Sequence, residues 1–153
     1  MDPPEYDERL TVPAWWWLPA AVTAAVLAIE LHLAAPAVPL PAVVLPVAAL
    51  AAGLLLALGR TRVTVRSGEL RVGGARLPLR LVSEVAPLDA AGRRVLLGPA
   101  GDPAAFVMQR AWAPGAVYLR LDDPAGVTPY WLVSTRRPAA LAGALQAARA
   151  ASV

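Results

Sequence analysis

Two long apolar stretches, joined by a short proline-rich connection, constrain this chain more than any other feature. One covers residues 14–35 and the other residues 37–58, so each is 22 residues long. About 20 apolar residues are enough for a helix to cross the hydrocarbon core of a bilayer. Because prolines interrupt the connection, the pattern predicts a transmembrane helical hairpin over residues 13–59.

The composition narrows the chemistry that the chain can perform. It is 58% hydrophobic and 16% charged, against about 25% charged in ordinary soluble domains. It has no cysteine, which excludes disulfides, thiolate nucleophiles and cysteine-bound metals. The one histidine, His32, lies inside the first stretch, and the sequence has neither a nucleophile elbow nor a phosphate loop. We therefore expect no catalytic residue, no metal site, no cofactor and no enzyme activity.

Arginines flank the two stretches on one side only. Arg9 precedes the first stretch, three arginines follow the second within eight residues, and the connection has none. Because positive charge stays on the cytoplasmic side, we expect a two-pass cell-membrane protein with both termini in the cytoplasm, residues 1–12 forming the N-terminal tail. Three amphipathic rings at the start of the first stretch favour the membrane interface; they are Trp15, Trp16 and Trp17.

After Gly59 the pattern changes to alternation of apolar and polar residues. Three short segments between Val63 and Leu81 alternate in this way, which predicts half-buried strands. Ser67-Gly68 and Gly73-Gly74 fit two-residue hairpin turns, because glycine readily adopts positive φ. The expected result is a three-strand antiparallel meander.

Further strands and two helices complete the expected domain. Apolar patterning predicts strands at residues 83–86, 105–112, 116–121 and 130–135. Asp89 is expected to cap a short helix to Leu97, and Pro138 opens an amphipathic helix. Its apolar face contains Leu141, Leu145 and Ala148. The predicted fold class is an α+β membrane protein, with the transmembrane hairpin followed by a small antiparallel β domain over residues 60–153 and a C-terminal helix.

Arginines concentrate on one face of the meander. With both turns in place, Arg66 lies opposite Glu69, and Arg71 lies opposite Thr64 and Arg76. We call this set the arginine face; it consists of Arg62, Arg66, Arg71, Arg76 and Arg80. Its position directly after the second span predicts contact with anionic lipid headgroups or a partner protein; the alternative is a solvated face. Without a recognition helix or stacking motif, nucleic acid is not an expected partner.

Glu30 and His32 are the ionisable residues inside the first span. A carboxylate costs about 2.5–3.5 kcal/mol at the centre of a membrane helix. Glu30 is therefore either a group that binds a proton or a cation, or a carboxyl group that snorkels to the outer membrane surface. His32 lies on a different helical face, so the pair does not form one site by itself. A functional role would require a membrane protein partner.

Two weaker patterns have common structural explanations. Trp112, Tyr130 and Trp131 suggest an aromatic ligand patch, but their period-two placement makes at least some of them core residues. Asp122 and Asp123 suggest part of a calcium site, but this pair before a proline is more typical of a solvated turn.

Four short sequence motifs, which we call sequence words, show a resemblance to a known family. They are Tyr6-x-Glu8-Arg9-Leu10, Gly59-Arg60-Thr61-Arg62, Thr128-Pro129-Tyr130-Trp131 and Ser134-Thr135-Arg136-Arg137-Pro138. These words resemble an actinobacterial two-span membrane family known as a domain of unknown function. Seven strands and a final helix behind a membrane hairpin also resemble bacterial pleckstrin-homology-like (PH-like) domains.

The combined pattern predicts a membrane-anchored, non-enzymatic binding or scaffolding module at the cytoplasmic membrane surface. The alternative is an accessory subunit of a transporter or membrane enzyme complex that uses Glu30 and His32.

Overall fold

Two helices occupy the apolar stretches, α1 (Trp17–Ala34) and α2 (Leu40–Leu58). A 3₁₀ turn, Ala14–Trp16, leads into α1. Pro41 lies in the first turn of α2, where its missing N–H leaves no intrahelical bond unmade. Both helices are long and apolar enough to cross a membrane, and they remain almost entirely exposed, unlike the core helices of a soluble protein.

The computed structural model describes residues 5–99, 101–122, 124 and 126–151. The chain divides into two units. The helical unit is Thr11–Thr61, and the β unit combines the described residues up to Leu10 with those from Arg62 onward. Residues 1–12 were expected to be a tail, but part of this segment is a strand of the β unit.

The first sheet of the β unit is antiparallel, with strand order β1-β2-β3-β4. Its strands are β1 (Tyr6–Arg9), β2 (Arg62–Arg66), β3 (Glu69–Val72) and β4 (Ala75–Pro78). Ser67, Gly68 and Gly73 have φ values of 51°, 71° and 58°, so the two predicted turns and the predicted meander are confirmed.

The strand pattern expected to reach Leu81 ends earlier, and that prediction was wrong. Pro78 pairs with Glu69, the first residue of β3, so the next residue has no strand partner opposite it. Leu79 instead donates its N–H to the Gly68 carbonyl at 2.8 Å. A 3₁₀ turn, Leu79–Leu81, follows, and Arg80 consequently lies beside the sheet.

The second sheet has the strand order β5-β7-β8-β6. Its strands are β5 (Val82–Leu88), β6 (Phe106–Met108), β7 (Gly115–Leu121) and β8 (Tyr130–Thr135). Its pairs are antiparallel except β6 with β8, which is parallel. The strand predicted for residues 105–112 is shorter than expected, because the Arg110 N–H turns to the Ser134 hydroxyl at 3.1 Å.

Two helices complete the β unit, α3 (Ala90–Leu97) and α4 (Pro138–Ala150). Asp89 caps α3 as predicted, accepting the Gly92 N–H at 2.8 Å. The predicted apolar face of α4 is confirmed, since its members are buried in one core with the first sheet; this core includes Leu10, Val63, Val65, Leu70, Leu77, Leu141, Leu145 and Ala148. The fold is therefore α+β, with two apolar helices and mostly antiparallel sheets.

Candidate functional site

Four of the five residues of the arginine face lie on the outer side of the first sheet, opposite the buried valines and leucines, and Arg80 lies in the 3₁₀ turn beside it. Thr64 pairs with Arg71, which pairs with Arg76 on its other side, and Arg66 pairs with Glu69. These are the pairings that the turn positions predict. Arg9 of β1 pairs with Arg62, so it adds a sixth arginine that sequence reasoning did not assign to this face.

Carboxylates hold two members of the arginine face. Arg62 donates from Nε to Asp7 Oδ1 at 2.7 Å and from Nη2 to Asp7 Oδ2, a bidentate pair. Hydrogen bonding to Arg62 holds the pKa of Asp7 below its usual value. Arg71 donates from Nε to Glu69 Oε2 at 2.6 Å. The Asp7 contact was missed because residues 1–12 were expected to be a tail.

Three members of the arginine face border a polar depression at one end of the sheet. It has a volume of about 540 Å³, and its lining includes Arg66, Arg71 and Arg80 together with Ser67 and Glu69. The side chains of Arg66 and Arg80 make no hydrogen bond or ion pair with any residue in the described part of the chain. Two guanidinium groups are thus available at this depression.

A second polar constellation, which we call the Glu8 cluster, is buried in the β unit and was not predicted. Glu8 is 5% exposed. Its Oε2 accepts from the Tyr6 hydroxyl at 2.7 Å and from Thr135 Oγ1 at 2.5 Å, and its Oε1 accepts the Arg136 N–H at 3.0 Å. Arg137 donates its N–H to Thr135 Oγ1 at 3.0 Å.

The Glu8 cluster joins two of the sequence words that carried the family resemblance, residues 6–10 and residues 134–138. Burial raises the pKa of Tyr6 to about 12, and the adjacent Glu8 carboxylate acts in the same direction. The signal in the sequence was the alternation of Tyr6, Glu8 and Leu10, which is the period of a strand. Three donors hydrogen-bond to the Glu8 carboxylate. The role of the cluster is therefore structural.

The tryptophans and ionisable residues of the helical unit occupy separate places. Trp15 and Trp16 lie in the 3₁₀ turn with ring centroids 5.5 Å apart, and Trp17 begins α1. Glu30 is exposed, and its carboxyl group makes no hydrogen bond or ion pair within the described residues. His32 is half-buried, and its Nδ1 has no hydrogen-bond partner within the same part of the chain.

The aromatic pattern forms core contacts. Trp131 is buried and stacks on Phe106 with centroids 4.1 Å apart, while Tyr130 is buried 5.1 Å from Tyr118. Trp112 is half-buried in the turn between β6 and β7.

Of the suggested calcium pair, Asp122 is exposed and Asp123 lies outside the described residues. Among the described residues, no three metal-ligating side chains lie together.

Comparison with protein families adds one match. The family described as "Protein of unknown function (DUF3093)" matches residues 5–145. The chain belongs to this family. Both apolar helices, the arginine face and the Glu8 cluster lie within the range that matches DUF3093. No curated protein and no solved structure gives a significant match.

Proposed function

We propose that this DUF3093 protein is a two-pass protein of the cell membrane with both termini in the cytoplasm. We propose further that its β unit is a non-enzymatic binding module that contacts anionic lipid headgroups through the arginine face. The observation that carries the proposal is the placement of four of these arginines on one sheet face, with Arg80 beside it, on a chain with two helices of membrane-spanning length.

The pairing of β1 with β2 supports the topology. β1 precedes the two apolar helices and β2 follows them, yet Arg9 lies directly opposite Arg62. Both strands must therefore be on the same side of any membrane that the helices cross. The distribution of arginines favours the cytoplasmic side.

The charge of the arginine face supports an anionic ligand. Arg66, Arg76 and Arg80 have no carboxylate partner in the described chain. Each arginine close to an anionic leaflet contributes about 1 kcal/mol, so these three supply a few kcal/mol together. Only residues 59–61 separate α2 from β2 along the chain.

The proposal includes a PH-like fold for the β unit and an actinobacterial origin for the chain. Two sheets of four strands and a closing helix support a PH-like architecture for the β unit. β1 is an eighth strand beyond the seven that we expected, and the pairing of β6 with β8 is parallel where we expected an antiparallel domain. An actinobacterial origin stays a prediction from the sequence words.

One observation favours the alternative of an accessory subunit in a transporter or membrane enzyme complex. Glu30 is exposed on an otherwise apolar helix and has no partner in the described chain, so a helix of another protein would stabilise it. However, Glu30 lies four residues before the end of α1, about 6 Å along the axis. From there a carboxyl group can reach the outer interface without a partner.

The lipid contact is tested in the full-length protein with one engineered cysteine. Because the chain has no native cysteine, Gly74→Cys can carry a single fluorophore, and a Cβ at Gly74 meets no atom within 4 Å. Gly74 lies in the β3–β4 turn, directly after Gly73, which donates its N–H to the Arg62 carbonyl at 2.9 Å. The matched control is Gly143→Cys on the exposed side of α4, where a Cβ also has open space.

In nanodiscs whose lipids carry a headgroup quencher, we expect stronger quenching at Gly74→Cys with phosphatidylglycerol than with phosphatidylcholine alone. The difference should disappear at high salt, since the Debye length falls from about 10 Å at 0.1 M to about 3 Å at 1 M. Substituting Arg66, Arg76 and Arg80 by Gln should also remove it. Equal quenching in neutral and anionic nanodiscs at low salt would leave the solvated face as the correct interpretation.

A further inference from the structure

The polar depression beside the β2–β3 turn has the features of a defined anion site. Two local structures build it. The positive φ values of Ser67 and Gly68 fold the turn tightly, and the bond from Leu79 N–H to the Gly68 carbonyl holds the 3₁₀ turn against it. Arg66 and Arg80 are thereby brought to the same depression although 14 positions separate them.

The charges of this depression are unbalanced. Its lining includes three guanidinium groups and one carboxylate, Glu69. That carboxylate is bonded to Arg71 at 2.6 Å, which orients Arg71 and reduces the repulsion that Glu69 exerts on an anion. Arg66 and Arg80 lack a carboxylate partner among the described residues. The net charge of two positive units is left for a ligand to neutralise.

The geometry points to a phosphate monoester as the ligand of this depression. This inference specifies the chemical class of the ligand in the proposed function, and it rests on that function. A phosphate monoester carries about −1.5 to −2 charges at neutral pH, whereas a phosphodiester carries one. The planar guanidinium group matches phosphate oxygens with two parallel hydrogen bonds. The exposed Ser67 hydroxyl adds a neutral donor at the rim. The source is either a lipid with a terminal phosphate, such as phosphatidic acid, or a soluble phosphate ester.

The test uses full-length protein and two double variants with equal charge. Arg66→Gln with Arg80→Gln removes the free guanidinium groups of the depression. Arg9→Gln with Arg76→Gln removes two arginines that lie on the same face of the sheet but do not line the depression. If the face acts only through total charge, the two variants behave alike.

In the first arm, protein in neutral detergent is titrated with inorganic phosphate, and the arginine Nε–H resonances are followed by nuclear magnetic resonance. We expect saturable binding that weakens about tenfold in the depression variant, the effect of losing charge-assisted hydrogen bonds, and little change in the control variant. This arm contains no bilayer, so its result does not depend on whether the β unit meets a membrane. Absence of saturable binding to the unchanged protein would overturn the phosphate site and leave the proposed function standing.

In the second arm, nanodiscs contain phosphatidic acid or phosphatidylglycerol at matched total charge, and quenching at Gly74→Cys is compared. A preference for phosphatidic acid that only the depression variant loses identifies the lipid as the source. Phosphate binding in the first arm without this preference supports the site and identifies a soluble phosphate ester. Equal losses in both variants, in either arm, would overturn the proposal in favour of diffuse charge.

Discussion

At the scale of single residues, Glu8 combines burial with hydrogen bonds that connect distant parts of the β unit. It is the charged side chain that the described core encloses, and each of its carboxylate oxygens accepts at least one hydrogen bond. Buried polar groups are costly only when they lack partners. The Glu8 cluster therefore stabilises one arrangement of β1 against β8 and disfavours any shifted register.

Removing the Glu8 carboxylate should destabilise the β unit strongly. Glu8→Ala leaves the Tyr6 hydroxyl, the Thr135 hydroxyl and the Arg136 N–H without their acceptor, and we expect a loss of about 2–4 kcal/mol. Urea unfolding of the full-length protein in detergent, followed by circular dichroism of the strands, measures the change. Glu84→Ala on the exposed surface of β5 is the matched control and should change stability by less than about 0.5 kcal/mol. Equal effects of the two variants would contradict the role of the cluster.

Tyr6 should make the β unit sensitive to alkali. Its pKa is about 10 in the unfolded chain and about 12 in the folded state, so folding favours the neutral phenol. The resulting stability is fully present below pH 10 and is lost as the pH rises through about 12. Tyrosinate absorbance should show a late-titrating tyrosine that disappears in Tyr6→Phe and persists in Tyr118→Phe. Identical titrations of the unchanged protein and Tyr6→Phe would refute this assignment.

At the scale of elements, Gly115 fits a narrow space where β7 begins beside α4. A Cβ at this position would lie 2.8 Å from Pro138 Cγ and 3.2 Å from the Leu88 carbonyl oxygen. The proline ring is rigid and the carbonyl belongs to β5, so neither yields easily. Gly115→Ala should destabilise the β unit by about 1–3 kcal/mol. Gly74→Ala, where a Cβ meets nothing, is the control; a neutral Gly115→Ala would show that α4 can shift without cost.

The elements that the sequence predicted well are those with local causes. Two glycine turns and period-two alternation were enough to predict the register of β2, β3 and β4, because each turn determines which residues face one another. The Asp89 cap and the apolar face of α4 were predicted for the same reason. No sequence signal indicated the parallel pairing of β6 with β8, since it depends on chain segments more than 20 residues apart.

The candidate site was predicted only in part, and the missing part is non-local. Alternation identified the arginine face, but the partner of Arg62 lies 55 positions earlier and the partner of Glu8 lies 127 positions later. The short segment before the first apolar helix has a strand period, but its acidic composition resembles that of a solvated tail. Only pairing with β2 makes it a strand.

At the scale of the whole molecule, the helical unit is an insertion between two neighbouring strands. β1 and β2 are antiparallel, and Arg9 lies opposite Arg62. Replacing Thr11–Thr61 by a loop of about two to five residues should therefore close a β-hairpin and give a soluble β unit. Circular dichroism should show strand signal and cooperative melting.

A chain that starts at Arg60 is the informative comparison for this design. It lacks β1, so the buried Leu10 and Glu8 are absent from the β unit. We expect it to melt at a lower temperature than the joined version. Equal melting temperatures would mean that β1 adds nothing to the stability of the unit.

The insertion also has a consequence for biosynthesis. β1 leaves the ribosome first, but the strand that pairs with it begins 53 positions after Arg9 and the Thr135 hydroxyl that completes its carboxylate site comes 127 positions after Glu8. At about 5–20 residues per second, β1 waits on the order of ten seconds as an unpaired segment. During that interval both apolar helices emerge from the ribosome. Under the proposed two-pass topology, the sheet can close only on a chain whose two ends have stayed on the same side of the membrane, so completion of the sheet depends on correct insertion of both helices.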